Sequence, residues 1–307
     1  MNDLVVTYGS GAEGLARKVA QISGARLAEV DRRIFPDGEQ YVRVCGDVCG
    51  KDVAILQSFA LSPDRLLVEY ALIADAVSGM GCRRVIGAFP YIAYARQDER
   101  FSEGEALSAK VFATLIEASG TDAVYTVDMH LHRFRDISEI FRIPATNLSA
   151  MRLLAEEYSR HLPPGRILVV GPDRESSQWV KAVADVIPSS CAVLEKERLG
   201  DREVRISEIS DSMCSTALIV DDMISTGKTI LEVLGKLKAS GVERVDALVT
   251  HVILVEGAYS RLKEAGLNSL ITTDTIANEY ASVSIAPLLA DALMLDAAGK
   301  PCPPTFL

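Results

Sequence analysis

The chain repeats itself. Leu4-Val5-Val6 returns about 164 residues later as Leu168-Val169-Val170, each a β-branched run that enters a polar turn and then a helical pattern. Tyr41-Val42-Arg43-Val44 finds a counterpart in Glu203-Val204-Arg205-Ile206, and Val53 to Gln57 in Ala217 to Asp221. Further on, Gly81-Cys-Arg-Arg-Val85 answers Gly241-Val-Glu-Arg-Val245, and Tyr125-Thr-Val-Asp128 answers Ile271-Thr-Thr-Asp274, always in the same order. Self-similarity at so long a period means two copies of one folding unit. Within each copy, short apolar strands alternate with helical segments such as Arg65 to Ser78, Ser108 to Ala118 and Thr229 to Ala239. That alternation predicts an α/β fold of two similar domains, each a mainly parallel sheet flanked by helices. A length of 307 residues suits two domains of ordinary size.

The expected domains are 1–147 and 148–307. The seam lies near Pro144 to Ser149, where Asn147 or Ser149 is placed to cap a helix through Met151 to Arg160. Pro163-Pro164-Gly165 then introduces the first strand of the second half. The tail 282–307, with prolines at 301, 303 and 304, could pack on either domain.

Apolar residues make up 49% of the chain, enough for a full core, and 32 basic against 42 acidic residues leave a net charge of −10. That balance argues against a nucleic-acid-binding or anionic-membrane surface, so bound anions must meet local cations. No basic segment precedes the first apolar stretch and no run of about 18 uncharged apolar residues occurs, so the expected location is cytoplasmic. The six cysteines form no C-x-x-C pair and read as free thiols; Cys45 and Cys49 make at best a weak metal pair.

Ligands of open parallel sheets gather at the carboxyl ends of the strands, and the unusual residues lie there. Thr216-Ala-Leu-Ile-Val-Asp221-Asp222-Met-Ile-Ser225-Thr226-Gly227-Lys228-Thr229 reads as an apolar strand ending in two acids, then a hydroxyl-rich turn opening a helix. Amides at a helix N-terminus suit a phosphate dianion, and the paired carboxylates could accept hydrogen bonds from vicinal sugar hydroxyls. A Walker A reading of Gly-Lys-Thr fails, because position 222 is Asp where that motif needs Gly. A second candidate, Gly9-Ser-Gly11-Ala-Glu-Gly14 with Glu29 and Asp31 downstream, matches the dinucleotide fingerprint. The equivalent turn of the repeat, Gly171-Pro-Asp-Arg-Glu-Ser176, is charged instead, so these glycines are read as turn and packing residues.

The Asp221 to Thr229 segment resembles the 5-phosphoribosyl 1-pyrophosphate loop of the type I phosphoribosyltransferase fold. Four other segments are similar to ribose-phosphate pyrophosphokinase in particular: Phe35-Pro36-Asp37-Gly38-Glu39, the Arg96-Gln97-Asp98 end of Pro90 to Asp98, Asp128-Met129-His130, and Gly171-Pro172-Asp173. Leu194 to Asp201, with Lys196 and Arg198, looks like the closing Lys-x-Arg loop of the same enzymes. The resemblance spans about residues 4 to 280. It implies transfer of a diphosphoryl group from ATP to ribose 5-phosphate. Phe35, Asp37, Gly38, Glu39, Arg96, Gln97 and Asp98 would meet ATP. Asp221, Asp222, Ser225, Thr226, Gly227, Lys228 and Thr229, with Arg198, would hold ribose 5-phosphate. His130 and Asp173 would ligate magnesium, and Lys196 and Arg198 would stabilise transferring charge. An ATP site completed by a neighbour implies a homo-oligomer, at least a dimer. Ser225 and Lys228 depart from the family loop, which more often has an acid and a glycine there. The alternatives are a phosphoribosyltransferase, which would need one copy of the fold and a base-binding hood, and a silent regulatory paralogue, which would have lost Lys196, Arg198 or His130.

Overall fold

The computed structural model describes residues 3–100, 102–131, 134, 136–194 and 214–301. In chain order the first unit contains β1 (Leu4–Tyr8), α1 (Glu13–Ser23), β2 (Arg26–Leu27), β3 (Glu29–Ile34), β4 (Gln40–Cys45) and β5 (Asp52–Leu56). It continues with α2 (Pro63–Gly79), β6 (Arg84–Phe89), α3 (Ser108–Ala118), β7 (Ala123–Val127) and β8 (Ala145–Leu148). The second unit contains α4 (Met151–Ser159), β9 (Ile167–Gly171), α5 (Ser177–Ala184), β10 (Ser189–Val193), β11 (Thr216–Ile224) and α6 (Lys228–Ala239). There follow β12 (Arg244–Val252), α7 (Ala258–Glu264), β13 (Ser269–Thr273), β14 (Ala281–Val283) and a last helix, α8 (Ala286–Ala297).

Each unit holds a parallel sheet of six strands, ordered β2-β1-β5-β6-β7-β8 in the first and β10-β9-β11-β12-β13-β14 in the second. The two orders match strand for strand. An antiparallel hairpin, β3–β4, is added in the first unit. Its expected counterpart, Glu203 to Ile206, lies outside the described residues.

The repeat extends to individual backbone bonds. Gly81 and Gly241 each follow a helix at left-handed φ, +77° and +87°. The amides of Gly81 and Cys82 reach Ser78 and Val77 carbonyls at 2.9 and 3.2 Å, and those of Gly241 and Val242 reach Lys238 and Leu237 at 3.0 and 3.1 Å. Only glycine takes this helix-ending conformation without steric cost, which explains the Gly-x-x-Arg-Val signature.

Alternating strand residues fill both faces of the sheets. In the second unit, Leu168, Ala217, Ile219 and Val249 pack under α6 with Ile230, Val233 and Leu234. Val169, Leu218, Val220 and Leu248 pack on the other face with Leu154, Trp179 and Val183 of α4 and α5. In the first, Val53, Ile55 and Val124 pack with Tyr70 and Ile73 of α2 and Phe112 and Ile116 of α3. Each fully buried aliphatic side chain contributes about 1.5–3 kcal/mol, so the near-continuous apolar strands dominate the stability of each layer.

The compact units are Met1–Leu148 together with Thr275–Ala277 and the segment carrying α8, and Ser149–Asp274 together with Asn278–Val283. The tail, open in the sequence, groups with the first unit from Ser284 onward: α8 packs against α1, and Asp296 accepts from the Tyr125 hydroxyl at 3.0 Å and from Arg84. At the seam Asn147 lies in β8 and accepts from the Met129 amide at 2.9 Å, so it does not cap α4. Ser149 accepts from the Met151 amide at 3.3 Å. Among the described residues no helix is long and apolar enough to cross a membrane.

Candidate active site

In the second unit β11 does not stop at the acids. Met223 and Ile224 continue the ladder opposite His251 and Val252 of β12, so Asp221 and Asp222 are strand residues, 9% and 2% exposed. The expected strand end moves because β12 is itself nine residues long and offers the pairing. The Asp222 amide donates to Asp221 Oδ1 at 3.0 Å. Burial raises the pKa of Asp221 well above its ordinary value, and the neighbouring Asp222 and Asp173 carboxylates raise it further. Three carboxylates therefore act on one another, Asp173 just past β9 and Asp221 and Asp222 within β11.

The turn that follows reaches α6 through Gly227, which is buried and left-handed at φ +75°. A side chain there would be strained by its backbone and would meet Leu262 at 3.4 Å. Ser225 and Thr229 are half-buried, Thr226 and Lys228 exposed, and the Lys228 amide donates to Thr226 Oγ1 at 3.4 Å. First-turn amides have no acceptor within their own helix, so this turn presents donors and hydroxyls together.

Asp173 follows β9 and accepts from the Ser176 amide at 3.1 Å, capping the short turn Arg174–Ser176. Lys196 and Arg198 lie outside the described residues.

In the first unit, Phe35 to Glu39 form the exposed tip of the β3–β4 hairpin. The Phe35 amide donates to the Glu39 carbonyl at 2.7 Å, the Glu39 amide to Asp37 Oδ1 at 3.2 Å, and Gly38 has φ +95°. Sequence reasoning missed the support beneath this tip: the Arg33 guanidinium lies 4.2 Å from the Tyr41 ring centre and 5.3 Å from that of Phe35. The available signal was the period of two, which puts positions 33 and 35 on one face of the strand. After β6, Arg96 is exposed, Gln97 accepts from the Ser108 hydroxyl at 3.0 Å, and Asp98 is buried. His130 is half-buried just past β7, in a turn fixed by the Asn147–Met129 bond and by Asp128, which has φ +38° and donates its amide to the Leu148 carbonyl at 2.7 Å. The hairpin, the Arg96 segment and His130 all belong to the first unit, and the sugar-phosphate turn and Asp173 to the second.

The glycine-rich turn after β1 does not have the build of a dinucleotide site. Ser10 donates its amide and hydroxyl to the buried Glu69 carboxylate at 2.5 and 2.7 Å, so a protein anion takes donors that a pyrophosphate would use. A Cβ on Gly9 would come within 2.4 Å of the Gln57 side chain, and one on Gly11 within 2.2 Å of the Ser58 carbonyl. Packing accounts for both glycines. Among the described residues no group of three or more His, Cys, Asp or Glu is arranged to hold a metal ion. The five described cysteines are free thiols.

Residues 4–120 match the N-terminal domain of ribose phosphate pyrophosphokinase, and residues 136–276 the phosphoribosyl transferase domain. The chain is 37% identical over 286 residues to a ribose-phosphate pyrophosphokinase of Methanothermobacter thermautotrophicus, covering 92% of this chain and 98% of that protein. It is 35% identical to ribose-phosphate pyrophosphokinase 1 of Archaeoglobus fulgidus, covering 94% and 100%. Its fold matches the crystal structure of phosphoribosylpyrophosphate synthetase from Mycobacterium smegmatis with a TM-score of 0.86 at 28% identity, covering 97% and 99% of the two chains. With duplicated sheets of one strand order, paired acids before a glycine-capped turn, and similarity along almost the whole length, the chain belongs to the ribose-phosphate pyrophosphokinase family.

Proposed function

We propose that this enzyme transfers the β,γ-diphosphoryl group of ATP to the anomeric hydroxyl of ribose 5-phosphate, giving 5-phosphoribosyl 1-pyrophosphate and AMP. The observation that carries the reading is in β11, where Asp221 and Asp222 are buried within the strand that leads into the glycine-capped turn of α6. Ser225, Thr226, Gly227, Lys228 and Thr229 hold the 5-phosphate, while Asp221 and Asp222 accept from the ribose hydroxyls. Arg198 adds a second cation to the sugar phosphate. On the donor side, Phe35, Asp37, Gly38 and Glu39 meet ATP together with Arg96, Gln97 and Asp98.

In the reaction a bond forms between the anomeric oxygen and the β-phosphorus, and the bond from that phosphorus to the oxygen bridging to the α-phosphate breaks. AMP leaves with the electron pair, and the sugar hydroxyl proton passes to solvent. Such transfers need positioning and charge neutralisation more than covalent help, which is the part given to Lys196 and Arg198. No side chain is assigned as general base.

The donor set fits magnesium. Magnesium is commonly bound by one or two carboxylates plus substrate phosphates, so a cage of three protein ligands is not required. The mutual repulsion of Asp173, Asp221 and Asp222, which raises the pKa of Asp221, is the charge pattern that a divalent cation relieves. His130 in the first unit and Asp173 in the second are the residues that would each offer a ligand to magnesium, which when bound neutralises the polyphosphate.

The exposed hairpin tip is free to complete a neighbour's ATP site, so the same reading includes a homo-oligomer of at least two chains working in the cytoplasm. Incubation with ATP, ribose 5-phosphate and magnesium, following AMP, tests the function. AMP and 5-phosphoribosyl 1-pyrophosphate should appear together. No AMP, with 5-phosphoribosyl 1-pyrophosphate consumed only when a nucleobase is added, would establish the transferase alternative.

A further inference from the structure

We infer that Arg33 is a positioning residue for the adenine end of ATP, acting through the ring of Phe35. The inference rests on the reading of the hairpin tip as an ATP contact. Arg33 and Tyr41 stand directly opposite each other in the β3–β4 ladder, and Phe35 follows two residues later on the same face. The guanidinium lies over both rings, 4.2 Å from the centre of Tyr41 and 5.3 Å from that of Phe35, and the Phe35 ring meets Tyr41 edge-on at 6.4 Å. Among the described residues Arg33 forms no ion pair with a carboxylate, unlike its neighbour Arg32, which is bonded to Glu13 at 2.8 Å. Its contacts in the hairpin are therefore these two π faces.

The consequence is a matter of order. Phe35 is 39% exposed at the end of a two-stranded ribbon, where Arg33 and the edge of Tyr41 are the ring contacts that hold its rotamer. Resting on a cation that is itself stacked on Tyr41, the ring is held in one orientation before any ligand arrives, with its outer part open to solvent. A preordered aromatic face suits a flat purine base and lowers the ordering cost of binding it. In this proposal the base is what meets the contact, so loss of Arg33 should weaken ATP and leave ribose 5-phosphate binding unchanged.

Steady-state kinetics of full-length variants test this. Arg33→Ala should raise KM for ATP about threefold to fivefold, the factor expected for an exposed cation–π contact. KM for ribose 5-phosphate and kcat at saturating ATP should stay within about twofold of wild type. Arg33→Lys, which keeps the charge but loses the planar stack, should restore ATP affinity only in part. Tyr41→Leu, removing the ring under the guanidinium, should reproduce the Arg33→Ala defect. A rise in both KM values, or a fall in kcat at saturating ATP, would mean that Arg33 only holds the hairpin together, and would overturn the proposal. Phe35→Ala separates the two levels. If it raises KM for ATP while Arg33→Ala does not, the inference about Arg33 fails. If it leaves KM for ATP unchanged, the ATP reading of the tip itself fails.

Discussion

Ser10 and Glu69 form a two-point contact in which the backbone and side chain of a glycine-rich turn are bound by one buried carboxylate, at 2.5 and 2.7 Å. The same carboxylate stands 3.6 Å from Arg65 and 3.8 Å from Arg32. Glu69→Ala should cost about 2–3 kcal/mol, since hydrogen bonds to a buried charge are lost and the Ser10 donors are left unmatched. Urea unfolding measures this. Isothermal titration of the wild-type protein with NAD should show no binding, because the donors of that turn are already engaged.

Asp246, the third residue of β12, has four side-chain partners: the Arg244 guanidinium at 2.7 Å, the Ser269 hydroxyl at 2.6 Å, the Asn268 amide at 2.9 Å and the Tyr158 hydroxyl at 2.8 Å. Burial alone would raise its pKa, and these four contacts outweigh burial and hold it below the ordinary value. Asp246→Ala should therefore destabilise the protein by about 3–5 kcal/mol. The contribution of Asp246 is present above the ordinary carboxylate pKa and is lost as pH falls through the lower folded one. Thermal unfolding of Asp246→Asn should accordingly lose part of the acid-side slope seen in wild type.

Asp221 carries the opposite sign. Its folded pKa is raised, so the folded state holds a proton that the unfolded state has released, and stability falls as pH rises from about 3.8 through the folded value. Asp221→Asn should raise Tm at neutral pH in the absence of magnesium, flatten the decline with pH, and reduce ribose 5-phosphate affinity. An unchanged Tm across that range would show that Asp221 carries no such penalty.

Thr126 and Thr272 occupy the same position of the two repeats, and the hydroxyl of each is buried with no hydrogen-bond partner among the described residues. Valine has the same shape without the polar atom. Thr126→Val and Thr272→Val should each stabilise by up to about 1 kcal/mol, additively because they lie in separate units. Differential scanning calorimetry of the two single variants and the double variant tests this.

Lys196→Ala should lower kcat by about 100-fold or more while leaving ribose 5-phosphate affinity nearly intact, as expected of a charge that acts chiefly in the transition state. Equal weakening of substrate binding with kcat unchanged would argue against that role.

Local physics explains what could be read directly from the chain. The doubling, the parallel sheets, the Ser108–Ala118 helix and the turn opening at Ser225 follow from β-branched runs, 3.6-residue spacing and glycines whose φ only glycine accepts. Those are short-range preferences, and the two copies state them twice. Other features required partners distant in sequence. Asn147 reads as a helix cap until β7 brings the Met129 amide beside it, and the tail is unassigned until Asp296 finds Arg84 and Tyr125. The acids read as a strand end until β12 proves long enough to continue the ladder past them. Gly9-Ser-Gly11 has the spacing of a nucleotide loop, and only the fold reveals that Glu69, 59 residues on from Ser10, already fills it. Sequence spacing determines which backbone shapes are cheap, whereas the identity of a donor's acceptor is a long-range pairing that exists only once the sheets have assembled.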